Sequence, residues 1–154
     1  MKNKIFKNWK KFLVENVGTD EKFRRLRAAT ETIKRQSGDQ CFIGSCANTS
    51  FELWWAAKRA GLSGVNLIAG SATPPEHTGE PPTEHIWLTV DGTVYDPTWE
   101  MQEINPEEVV YDGEVVDFEK DPNALEYFGV DEVEDTEWWD DTTDYIMHHF
   151  METQ

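Results

Sequence analysis

Cys46, His85 and Asp96 stand in the order, and on the kinds of element, that a cysteine nucleophile needs. A thiol attacks a carbonyl carbon only as its thiolate, so it wants a histidine to accept or share its proton and a third group to hold that histidine's tautomer. The attack yields a thioester that passes on to water or to an amine. The chain is therefore read as an acyl-transfer enzyme, with hydrolysis of an amide or ester as the default. In this chemistry Cys46 attacks, His85 shuttles the proton and Asp96 orients His85, with no cofactor.

The elements that must position these groups can be read from periodicity and turn residues. Phe6, Trp9, Leu13 and Val17 repeat at helical spacing, so residues 3–17 are expected as a basic amphipathic helix that docks on the core. Thr19 or Asp20 caps a second helix to about Gln36, with Phe23, Leu26, Thr30 and Ile33 on one side. A third runs from Ser45 or Cys46 to Ala60 and stops at Gly61. Cys46 thus opens a helix, where exposed N–H groups and the helix dipole favour a thiolate. Val65–Ala69 reads as a strand and residues 70–83, around His77, as a long surface loop. Over 85–90, His85, Trp87 and Thr89 alternate with Ile86, Leu88 and Val90. Asp91-Gly92 is a two-residue hairpin turn, and the return strand brings Asp96 to His85. Trp87 shares the face of His85 and is expected, with Ser45, to line the substrate side.

Beyond Trp99 the signal weakens. A second hairpin is expected around Asp112-Gly113, a short helix over 122–128, and a last helix over 136–151. Cys41 is a rival nucleophile, less well placed because it precedes the helix. His148 and His149, being adjacent, are expected on different faces of the last helix, and no metal site is expected.

Residues 38–100 resemble the transglutaminase-like cysteine protein superfamily within the wider papain-like fold. The resemblance rests on Cys46 opening a helix, Arg59-Ala60-Gly61 ending it, the strand 65–69, His85-Ile86-Trp87 and Asp96-Pro97-Thr98. Gln40 followed by Gly44-Ser45-Cys46 is similar to the papain-type Gln…Gly-Ser-Cys motif, which implies that Gln40 and backbone N–H groups form an oxyanion hole. Ser50, four residues after Cys46, and Val90-Asp91-Gly92 resemble the leader peptidases of lasso-peptide maturation. Ala47 and Ile86 depart from the family's usual residues and bear on the shape of the pocket. The resemblance implies an α+β, papain-like or transglutaminase-like core in which the cysteine helix packs on a small antiparallel sheet.

The bulk numbers bound this reading. The 154 residues suit one domain, read as N-terminal helices (1–37), a catalytic core (38–100) and an acidic C-terminal extension (101–154). Hydrophobic residues at 38% and aromatics at 12% supply a core. No apolar run approaches the ~20 residues that span a bilayer, and the N-terminus lacks the apolar stretch of a secretory signal, so a cytoplasmic protein is expected. The net charge of -16 is uneven: residues 1–60 hold thirteen Lys/Arg against six Asp/Glu, and residues 61–154 one Lys against twenty-four Asp/Glu. The two parts are expected to attract each other. The acidic remainder disfavours nucleic acid and membrane as partners and suits a peptide, protein or amide substrate or a basic protein partner. The alternative to an enzyme is a catalytically silent binding protein of the same fold, an acidic decoy for a basic partner.

Overall fold

Asp20 and Glu21 in the first turn and Lys34 and Arg35 in the last oppose the dipole of helix α1 (Thr19–Ser37) with charges of the right sign. The computed structural model describes residues 17–37, 46–75, 83–98, 105–117, 120 and 136–151. The expected helices over 3–17 and 122–128 fall largely or wholly outside these residues. On α1 the expected apolar stripe faces inward: Leu26, Thr30 and Ile33 are buried, and Phe23 packs against the core.

Helix α2 (Cys46–Arg59) begins at the cysteine and ends as its sequence requires. Gly61 takes a φ of 80°, which lets the Leu62 amide reach back to the Ala57 carbonyl at 2.9 Å and closes the helix in a Schellman turn. Among the described residues four strands follow: β1 (Val65–Thr73), β2 (Thr83–Val90), β3 (Thr93–Tyr95) and, after a 3-10 turn at Pro106–Glu108, β4 (Val110–Val115). They form an antiparallel sheet in the order β3-β2-β1-β4. Helix α3 (Thr136–Met147) completes an α+β fold.

Two expectations about the sheet are corrected. The segment from residue 70 was expected as a loop, but β1 continues to Thr73 because it is a central strand, with β2 on one side and β4 on the other. Asp112-Gly113 was expected as a hairpin turn, yet it lies inside β4, where Gly113 faces Gly70 on β1. Glycine serves close approach there: a Cβ on Gly70 would fall 2.1 Å from the Asp112 carbonyl oxygen. The turn at Asp91-Gly92 forms as expected, with φ of 50° and 87° at its two central residues, the pattern of a type I′ hairpin.

One core joins these pieces. Leu26 and Ile33 of α1, Phe51 and Leu53 of α2, Leu67 of β1, Ile86, Leu88 and Val90 of β2, and Ile146 and Phe150 at the end of the chain pack together. Each such side chain contributes about 1.5–3 kcal/mol on burial. The stretch 101–154 thus supplies both a strand and a helix to the main body. Tyr95, 1% exposed, donates its hydroxyl hydrogen to Thr30 Oγ1 at 2.6 Å, since that hydroxyl's own hydrogen goes to the Leu26 carbonyl.

The basic and acidic parts do meet. Lys22 of α1 pairs with Asp91 of the hairpin at 3.0 Å. Arg59 at the end of α2 reaches the Asp140 carbonyl, Thr143 Oγ1 and Asp144 Oδ1 of α3, while Trp55 Nε1 donates to Asp140 Oδ1 at 2.6 Å. His148 and His149 are not spread over two helix faces, because α3 ends at Met147 and their rings come together at 3.8 Å between centroids. His149 Nε2 lies 2.8 Å from Thr32 Oγ1, and burial pushes its imidazole below the usual range. Among the described residues no group of three or more His, Cys, Asp or Glu could hold a metal ion, and no helix is long and apolar enough to cross a membrane.

Candidate active site

His85 and Asp96 come together through the β2–β3 hairpin. The register pairs Leu88 with Tyr95, so the chain leaving β3 carries Asp96 back along the side of β2 that bears His85 and Trp87. The result is a contact of 2.6 Å between His85 Nε2 and Asp96 Oδ2, with both side chains buried. An ionised carboxylate only accepts, so the hydrogen of this contact belongs to Nε2, and in the neutral imidazole Nδ1 is then the basic ring nitrogen. This division of labour is the one a proton-shuttling histidine needs.

Asp96 is held at three points. Its Oδ1 accepts the Thr98 amide at 3.1 Å, and its Oδ2 accepts the Tyr111 hydroxyl at 3.0 Å as well as His85. Thr98 Oγ1 is buried and without a hydrogen-bond partner among the described residues. Tyr111 was not singled out by the sequence, because Tyr-Asp-Gly there reads as the edge of a turn. Its phenol is pushed above the ordinary tyrosine range, first by burial and then by the Asp96 charge and hydrogen bond, so it keeps its proton and donates.

Aromatic rings back this pair. Trp87, 2% exposed, stacks on His85 with centroids 5.9 Å apart and planes 19° apart. The Tyr111 ring lies against Trp87 as well, at 4.8 Å between centroids. The indole is thus spent mainly on walling the imidazole, with little surface left to meet a substrate.

Cys46 is the first residue of α2, so its backbone occupies the helix end where unpaired N–H groups and the positive dipole end favour an anion. Its thiol lies outside the described atoms, as do Gln40, Ser45, Cys41 and His77. One turn further along α2, Ser50 donates its hydroxyl hydrogen to the Ile86 carbonyl at 3.2 Å. The opening turns of the cysteine helix are therefore fastened to β2 at the residue next to His85, since one helical turn spans only about 5.4 Å. No protein-family model matches this chain, and no curated protein or solved structure matches it either.

Proposed function

We propose that the protein is a cysteine-nucleophile acyl-transfer enzyme with a papain-like, transglutaminase-like core. In this reading Cys46 attacks an amide or ester carbonyl, and His85 Nδ1 takes the thiol proton and returns it to the leaving group. Asp96 holds the Nε2–H tautomer through that step. Gln40 and backbone N–H groups near the helix start receive the developing oxyanion, and Ser45 borders the bound substrate. The thioester is then released to water or to an amine.

The observation that carries the reading is the 2.6 Å contact of the buried His85–Asp96 pair, on a strand that Ser50 ties to the helix begun by Cys46. A buried imidazole whose tautomer is fixed by a carboxylate is costly to assemble and useful for proton transfer. The reading requires the thiol to meet Nδ1 at the N-terminal end of α2. An activated ester such as p-nitrophenyl acetate tests it: a burst of one equivalent of nitrophenol is expected, with an acetyl group mapped to Cys46 and released by hydroxylamine. No burst, or a burst undiminished in Cys46→Ala, rejects the reading in favour of a binding protein.

A further inference from the structure

We propose that Tyr111 is a positioning residue of this site: its phenol fixes Asp96 so that the carboxylate receives Nε2–H of His85 and keeps the imidazole in the tautomer with Nδ1 unprotonated. The inference deepens the acyl-transfer reading and rests on it for the use to which that tautomer is put.

Four side chains close a ring. The Tyr111 hydroxyl reaches Asp96 Oδ2 at 3.0 Å, Asp96 reaches His85, His85 lies on Trp87 and Trp87 lies on the Tyr111 ring. Tyr111 comes from β4, which is separated from β2 by β1, so its side chain must cross the intervening strand. The residues it crosses near are small: Ala72 is its partner on β1, followed along the ladder by the facing glycines Gly70 and Gly113. A Cβ on Gly113 would lie 2.6 Å from Trp87 Cη2, so the indole occupies the space that a side chain there would take.

The chemistry of the shared oxygen explains what the phenol contributes. Oδ2 accepts from both Nε2 and the Tyr111 hydroxyl, while Oδ1 accepts from the Thr98 amide. Turning the carboxylate away from His85 would break the phenol bond as well. A phenylalanine at 111 keeps the ring packing and removes only this second anchor, so Asp96 can turn and His85 can exchange tautomers.

The test is the ring-nitrogen NMR spectrum of His85 at about pH 9, where an ordinary imidazole is neutral, recorded in Cys46→Ala protein with and without Tyr111→Phe. The parent is expected to show protonated Nε2 and bare Nδ1, and Tyr111→Phe to move both signals toward the averages of a tautomer mixture. In protein that retains Cys46, Tyr111→Phe is expected to slow alkylation of that thiol at pH 6 about tenfold, equivalent to about 1.4 kcal/mol. Unchanged ring signals in Tyr111→Phe overturn the positioning role whatever the thiol does. A shifted tautomer beside an inert wild-type thiol upholds the role and rejects the acyl-transfer reading. Should Tyr111→Phe fail to fold, the parent spectrum alone decides: a protonated Nδ1 overturns the proposal and a bare one supports it.

Discussion

Gly70 of β1 stands directly opposite Gly113 of β4, and neither position has room for a side chain. A Cβ on Gly70 would meet the Asp112 carbonyl oxygen at 2.1 Å and Gly113 Cα at 2.4 Å. Those are backbone atoms and cannot turn aside. Gly70→Ala is therefore expected to force β1 and β4 apart, cost about 2–3 kcal/mol, and withdraw Tyr111 from Asp96. Denaturant unfolding measures the first effect and the His85 ring signals the second. Wild-type stability in Gly70→Ala would contradict the close approach.

Glu52 on α2 gives a pH dependence that can be signed. Burial raises its carboxyl from 4.5 to about 7, against a smaller lowering by the Tyr145 hydroxyl that bonds it. A group whose folded value is raised stabilises fully below its unfolded value, and that contribution is lost as pH rises through the folded one. Stability from Glu52 should thus fall between about pH 4.5 and 7. Glu52→Gln, which keeps an acceptor for Tyr145, is expected to gain about 1–3 kcal/mol at pH 8 and little at pH 4. Melting curves at the two pH values check this, and an equal gain at both would contradict it.

The hairpin clamp behaves oppositely. Lys22 is 5% exposed in its side chain and pairs with Asp91, 33% exposed. Hydrogen bonds from Thr19 and then Lys22 hold the Asp91 carboxyl below its ordinary value. This contribution is present above the unfolded value of 3.8 and is lost as pH falls through the folded one. Asp91→Asn keeps a residue that tolerates the positive φ and removes the charge together with one of the two oxygens that accept from Thr19 and Lys22. It is expected to cost about 1 kcal/mol at pH 7, a modest figure because Asp91 remains partly in water, and nothing once acid has neutralised the wild-type aspartate. Urea titrations at pH 7 and at successively lower pH measure the difference, which is expected to shrink as pH falls below 3.8.

Much of this fold was legible because local chemistry and tertiary packing agree. The stripe on α1, the stop at Gly61 and the turn at Asp91-Gly92 follow from side-chain spacing and backbone preference, and the hairpin register brings Asp96 to His85. What escaped was non-local. The Asp112-Gly113 pair carries the local mark of a turn, yet its glycine answers to Gly70, more than forty residues earlier in the chain. Tyr111 carries no local mark for the same reason, since its importance comes from a strand pairing that no nearby residue announces. The adjacent histidines at 148 and 149 depart from helical spacing because the helix ends at Met147, just before them.

Activation of Cys46 by His85 is measured by the rate at which iodoacetamide alkylates Cys46 at pH 6 in the wild type and in His85→Ala, read by peptide mass spectrometry. An ordinary thiol of pKa about 8.5 is almost wholly protonated there. A thiol lowered to about 6 gains roughly a hundredfold in thiolate and gives back about half of that logarithm in nucleophilicity. A wild-type rate about tenfold above that of free cysteine is expected, falling to the free-cysteine rate in His85→Ala. A wild-type rate no higher than that of free cysteine, or one unchanged by His85→Ala, would contradict it.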